Sequence, residues 1–237
     1  MKLNIFYNWL NINLFVFGNH CVLCRARTVN DSGCCDGCWH DLPFLARACR
    51  YCAVPLPANA AATVCSDCQR HPSFDNAVAA FTYQEPIRWL ITGLKFRGRR
   101  EYARLLAAGL ASRIDQALEP VPDVLIPVPL HDAGYRRRGF NQAELLARLI
   151  ARRTGLALDC RLISRTADTP AQSTLTAKQR RTNLRGAFSC RTEIAGRRIA
   201  LVDDVVTTGA TAAELARELR RAGAASVSVY CVARATV

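Results

Sequence analysis

The sequence predicts an α/β protein, a parallel sheet flanked by helices, with a small cysteine-rich unit at its N-terminal side. Three observations lead to that class. Four C-x-x-C pairs crowd into the first 70 residues. Beyond them, short apolar runs alternate with stretches of helical spacing, the pattern of strands buried on both faces. One such run, 199–202, leads through two adjacent acids into a Thr/Gly loop and then a helix at 212–221, with Leu215 and Leu219 on one face.

Length and composition bound the answer. A chain of 237 residues has room for one α/β domain and a small appendage. Half its residues are hydrophobic and 22% are charged, which excludes a disordered chain. A net charge of +13 calls for an acidic partner: nucleic acid, a pyrophosphate-bearing substrate, or both. Residues 1–20 offer only Lys2 as a basic leader, and Asn4, Asn8, Asn11 and Asn13 interrupt their apolar character. They are expected to pack on the protein rather than span a bilayer. The expected division is an apolar segment at 1–20, a metal-binding unit at 21–72 and the α/β domain at 73–237, in a cytoplasmic protein without stable membrane insertion.

Twelve cysteines would suggest disulfides in a secreted chain, but eight of them form knuckles: Cys21/Cys24, Cys35/Cys38, Cys49/Cys52 and Cys65/Cys68. Each knuckle delivers two thiolates to one ion, so four knuckles fit two Zn²⁺ ions. Short loops favour pairing the first two knuckles and the last two, while nested pairing remains open. Cys34 competes with Cys35; His20 or His71 could stand in for a thiolate, but eight cysteines already complete two sites, so the histidines are expected as neighbours rather than ligands. Sites closed by four cysteines leave no position for substrate and are structural.

Along the α/β part, 76–83 reads as a strand. Pro86 opens a helix at 87–94 that runs into the basic stretch 95–100, and a second helix covers 101–118. Residues 123–128 form a buried strand, and a long loop follows at 129–139. That loop holds Arg136, Arg137 and Arg138, which suit a pyrophosphate because guanidinium matches phosphate oxygens bidentately. A helix at 140–153 and a strand at 159–165 come next. The polar stretch 166–185 offers Thr169, Gln172, Arg180, Arg181 and Asn183 as donors that would close over an anion. Strands are expected at 187–190, 199–202 and 226–232, with Cys160, Cys190 and Cys231 as core residues.

The stretch after 202 carries the chemistry. Asp203 and Asp204 stand where the strand is expected to end, followed by Val205, Val206, Thr207, Thr208, Gly209, Ala210 and Thr211. Hydroxyls and backbone amides at a helix N-terminus suit a phosphate. Carboxylates repel phosphate, so the acidic pair is aimed at another part of the ligand, and the vicinal hydroxyls of a sugar are its natural target. The ligand implied is a sugar phosphate.

This segment resembles the binding motif of type I phosphoribosyltransferases, which hold 5-phosphoribosyl 1-pyrophosphate. The resemblance implies that Asp203 and Asp204 hold the ribose 2′- and 3′-hydroxyls, while Thr207–Thr211 wrap the 5′-phosphate. Further stretches extend it: Leu94-Lys95-Phe96 with Gly98, Pro127-Val-Pro-Leu-His131, Arg138-Gly-Phe-Asn-Gln142, and Thr169-Pro-Ala-Gln172 with Arg181, Asn183 and Phe188. Together with the knuckles they resemble the ComF-type competence proteins, a zinc ribbon joined to a phosphoribosyltransferase-like domain and linked to DNA uptake or use of DNA as a nutrient. The resemblance implies phosphoribosyl pyrophosphate with Mg²⁺, and a pentosyl transfer to an acceptor that the residues do not name. Competence-machinery proteins are implied as partners. Two other readings follow from the same residues: a non-catalytic protein holding single-stranded DNA on its basic face and zinc ribbon, with Phe96 and Tyr135 stacking on bases, and a structural scaffold on a transferase fold.

Overall fold

The computed structural model describes residues 20–117, 120–165, 186–191 and 194–236. Helices are α1 (Asp36–His40), α2 (Ser66–Arg70), α3 (Ile87–Arg97), α4 (Tyr102–Asp115), α5 (Asp132–Arg138), α6 (Gln142–Thr154) and α7 (Ala210–Arg221). Strands are β1 (Asn76–Thr82), β2 (Val124–Pro127), β3 (Ile163–Arg165), β4 (Phe188–Cys190), β5 (Arg198–Val206) and β6 (Ser226–Arg234).

The main sheet runs β1-β6-β5-β2, and every pair in it is parallel. Successive residues of a strand face opposite sides, so each strand must bury both sets. Ala200 and Val202 of β5 join Tyr230 and Val232 of β6 in a core under α3, α4 and α6, with Leu90, Leu105 and Leu146. Ile199 and Leu201 face the other way, with Val227 and Val229, onto Leu215 and Leu219 of α7. The approach of α4 to the sheet requires a glycine. A Cβ on Gly109 would stand 2.2 Å from Phe81 Cζ.

The cysteine-rich unit is fused to the sheet. Along the outer edge of β1, Leu45 N–H donates to Ala80 O at 2.9 Å, Thr82 N–H to Pro43 O at 3.0 Å and Ala77 N–H to Arg50 O at 2.8 Å. Phe44 bridges Phe81 in antiparallel register, with the two rings 4.7 Å apart. An edge that would otherwise offer free amides and carbonyls is thereby occupied.

Three expectations are corrected. Residues 129–139 are not a loop throughout: Asp132–Arg138 is helical, because His131 Nδ1 accepts from Ala133 N–H at 3.2 Å and Gly139 ends the turn at φ +75°. Its three arginines fall in the last turn, where the helix dipole favours cations. The strand expected at 159–165 shortens to Ile163–Arg165, since Asp159 Oδ1 accepts the amides of Arg161 and Leu162 and makes a turn there. That strand pairs antiparallel with β4, outside the main sheet. The run expected to stop at 202 continues through the acidic pair to Val206, because β6 offers partners that far, Val205 opposite Ala233 and Val206 opposite Arg234. The expectations for residues 1–19 and 166–185, Arg181 included, lie outside the described residues.

Candidate functional site

The C-terminal ends of β2 and β5 open on a cleft of about 620 Å³. Asp203, Asp204 and all of Val205–Thr211 line it, together with Lys95, Arg137 and Arg138. Arg136 is exposed and is not among the lining residues.

The two acids differ because strand alternation sends them to opposite faces. Asp204 lies on the α3 side, 1% exposed. Lys95 Nζ stands 2.8 Å from each of its carboxylate oxygens, and Val205 N–H donates to Oδ1 at 2.8 Å. Burial disfavours the Lys95 ammonium, but Asp204 and Asp203 outweigh it and raise its pKa. Asp203 is half-buried and accepts the Asp204 N–H at 2.8 Å. Burial and the neighbouring Asp204 charge push its carboxyl up to about 8, against the opposing pull of Lys95.

The turn between β5 and α7 is held by Gly209 at φ +76°, a conformation that a Cβ would strain. Thr208 Oγ1 accepts from Ala210 N–H at 3.4 Å. The amides of Thr207, Thr208 and Gly209 have no protein acceptor among the described residues. They are free to receive an anion, beside the N-terminus of a twelve-residue helix.

Across the cleft, Asn141 accepts Ala143 N–H at 3.0 Å and donates to Val128 O at 3.1 Å, which fixes the start of α6 to the end of β2. Arg138 Nη1 donates to Gln142 Oε1 at 3.0 Å, and its guanidinium lies 5.4 Å from the Phe96 ring centre. Its buried Nε finds no acceptor among the described residues. Burial lowers the pKa of this arginine, against the pull of Asp204 and Asp203. An anion at this point would satisfy the orphaned donor.

Two cysteine clusters complete the chemistry. Cys21, Cys24, Cys35 and Cys38 bring their sulfurs within 4.8 Å of one another, and Cys49, Cys52, Cys65 and Cys68 do the same. Pairing is therefore sequential, and Cys35 rather than Cys34 completes the first cluster. The Cys24–Cys35 and Cys52–Cys65 separations, 3.6 and 3.7 Å, match the edge of about 3.8 Å expected for a tetrahedron with Zn–S of about 2.3 Å. The residues fit structural zinc. Among the described residues, neither metal-like cluster includes His20 or His71.

The clusters are built alike. Cys21 N–H donates to Ala26 O and Cys49 N–H to Val54 O; Cys35 and Cys65 each precede a short helix. After the first knuckle of each, a non-glycine residue takes positive φ, Arg25 at 68° and Ala53 at 54°.

This architecture agrees with comparisons to known proteins. Residues 13–69 match the double zinc ribbon domain family, and residues 102–236, more than half the chain, match the phosphoribosyl transferase domain family. The DNA utilization protein YhgH of Salmonella typhi is 37% identical over 220 residues, covering 90% of this chain and 96% of that protein. Competence protein F of Haemophilus influenzae is 36% identical over 235 residues, covering 94% of this chain and all of its own length.

The chain belongs to the ComF family.

In this ComF-family chain the double ribbon is hydrogen-bonded to the outer edge of β1, a strand that lies between the two matched ranges and joins the parallel sheet through β6. A purine phosphoribosyltransferase from Pyrococcus horikoshii aligns structurally at 17% identity and a TM-score of 0.35, over 65% of this chain and 76% of its own. Among the described residues, no helix is long and apolar enough to cross a membrane.

Three residues at the site escape sequence reasoning. Lys95 stands out only as part of a short motif, and its partner lies 109 residues away. Phe74 packs against Gly209, where a Cβ would meet its ring at 3.4 Å. Arg234 reaches the turn from behind. Phe74 and Arg234 carry no local signal, and the motif around Lys95 does not reveal its partner, because each acts through a contact that only folding creates.

Proposed function

We propose that this protein binds 5-phosphoribosyl 1-pyrophosphate, with Mg²⁺, in the cleft at the end of β5, and transfers the phosphoribosyl group to an acceptor. The observation that carries this reading is the convergence of two acids and three unengaged amides on one cleft. In it, Thr207, Thr208, Gly209, Ala210 and Thr211 hold the 5′-phosphate, while Val205 and Val206 form the wall between phosphate and sugar. Asp203 accepts hydrogen bonds from the ribose hydroxyls. Asp204 shares Lys95 with the ligand's pyrophosphate. Arg137 and Arg138 hold the pyrophosphate from the opposite wall, and Arg136 and Arg181 are assigned to the same anion-holding set.

The cleft's oxygen donors, the Asp203 carboxylate foremost, suit a hard cation carried in with the ligand. When bound, Mg²⁺ would neutralise charge on the departing pyrophosphate. Lys95 and Arg138 add fixed positive charge where that group leaves, which is the main lever available without a positioned base.

Titration calorimetry with the sugar pyrophosphate and Mg²⁺ tests the assignment. Binding is expected to disappear in the Asp203→Asn/Asp204→Asn double variant, and unchanged affinity there removes the site. Mg²⁺-dependent consumption of the sugar pyrophosphate, with and without single-stranded DNA, separates catalyst from binder.

The relatives named for DNA utilization and competence favour a role in handling incoming DNA, in the cytoplasm and in contact with competence-machinery proteins. One observation supports a second reading, binding of single-stranded DNA: Phe96 (65% exposed) lines the cleft beside Arg138, and Tyr135 (51%) precedes the arginines on α5. Backbone neutralisation then predicts a steep fall of affinity with salt. The division at about residue 72 between ribbon and transferase-like domain belongs to the same proposal.

A further inference from the structure

Arg234 closes β6, where Thr82 and Val206 are its partners on either side. Its guanidinium is buried, 7% exposed, and its donors go to backbone carbonyls. Nε donates to Cys52 O at 2.9 Å. Nη1 donates to Val206 O at 3.0 Å, to Ala235 O at 2.5 Å and to Thr207 O. One planar group thus joins a cysteine of the second cluster to the first two peptides of the turn.

The consequence follows from peptide geometry. In a planar trans peptide, the carbonyl and the next amide point in opposite directions. Arg234 draws the carbonyls of Val206 and Thr207 to one side, so the amides of Thr207 and Thr208 point to the other. Arg234 is not among the cleft-lining residues, whereas Thr207 and Thr208 are. The guanidinium therefore sits behind the turn and aims its amides forward. Packing supports the same connection: Ala53, beside Cys52, shares a core cluster with Phe74 and Val206, and Phe74 backs Gly209.

The first cluster is placed differently. Its neighbour Asp31 meets Arg153 of α6 at 2.9 Å and offers its carbonyl to Arg104 Nε of α4 at 3.2 Å, on the sheet face opposite α7. Two similarly built metal sites have different neighbours.

We propose that Arg234 is a positioning residue that couples the second cysteine site to the anion-holding turn, so that metal retention there and the shape of the turn depend on each other. The value of this coupling to ligand binding rests on the function proposed above; the coupling itself does not. Replacing the planar fork with a point charge should loosen both ends, because a lysine ammonium cannot span the Cys52 and Thr207 carbonyls together.

The test uses the full zinc-loaded chain. Zinc release to a chromogenic chelator should show one phase for each site. Arg234→Lys is expected to speed one phase about tenfold and leave the other unchanged, within the usual range of a coupling between sites. Hydrogen exchange across residues 205–211 should rise by a similar factor while residues 142–154 exchange as before. In the unmutated chain, release of the second zinc alone should produce the same rise, an arm that needs no variant to fold. The proposal falls if exchange in the turn is indifferent to loss of that zinc, or if Arg234→Lys matches the parent in both readouts. Neither readout includes the sugar pyrophosphate, so failure of that ligand to bind would remove the functional reading and leave this one to be decided separately.

Discussion

Lys95 Nζ stands 2.8 Å from both carboxylate oxygens of Asp204 across 109 residues of chain, and this pair joins the helical layer to the floor of the cleft. Lysine comes from the last turn of α3 and aspartate from β5, so neither holds its place unless both elements have docked. Lys95→Met leaves a buried carboxylate without its cation. A loss of about 3–5 kcal/mol in urea denaturation is expected, the usual consequence of breaking a buried pair from one side. Adding Asp204→Asn should restore much of it. A double variant no more stable than Lys95→Met would show that the pair is not what holds the layers together.

The Asp203 carboxyl supplies a pH signature. Its pKa in the folded protein is raised to about 8 by burial and by Asp204, against an ordinary 3.8. The folded state therefore binds more protons than the unfolded state between those values, and stability falls as pH rises through the window. Asp203→Asn removes this contribution. The melting temperature of the variant should gain on the parent from pH 5 to pH 8, compared at each pH so that zinc loss in acid cancels. Ligand binding that needs the carboxylate should release a proton near neutral pH, seen as calorimetric heats that change with the ionisation enthalpy of the buffer.

Gly109 is a packing requirement. An added methyl would lie 2.2 Å from the fully buried Phe81 ring, so Gly109→Ala must push α4 off the sheet. A loss of about 1–3 kcal/mol is expected, as for other overpacked cores, despite alanine's better helix propensity. The check is the denaturation midpoint, with Phe81→Leu as the relieving second change.

Metal content distinguishes the adjacent cysteines. Cys35 lies in the first sulfur cluster, whereas Cys34 is buried beside it with its Sγ 4.0 Å from that of Cys21. Cys34→Ser should retain two zinc equivalents per chain and Cys35→Ser one, measured by atomic absorption on purified protein. Equal zinc in the two variants would mean that Cys34 can take over as ligand.

The architecture is largely legible in the sequence because its signals are local. Knuckle spacing is a short-range property, and the unbroken apolar run of Ile199, Ala200, Leu201 and Val202 announces a strand buried on both faces. The turn at 207–211 can be read for the same reason. What stays hidden depends on partners: β5 continues past residue 202 only because β6 pairs with it, and Asp159 stops a strand by a side-chain turn that composition does not reveal. The helix at 132–138 reads as loop because its seven residues are too few for apolar periodicity, and a histidine caps it. The inequality of Asp203 and Asp204, adjacent and chemically identical, arises entirely from which face each meets.

The order β1-β6-β5-β2 has a consequence for synthesis. The two middle strands are the last to leave the ribosome, while both outer ones emerge early. A nascent chain halted before residue 226 can pair β5 with β2 but leaves β1 without a neighbour, because β6 is the strand that joins β1 to β5. Quality control would see it as unfinished, and late frameshifts in the gene should behave as null alleles rather than mild ones.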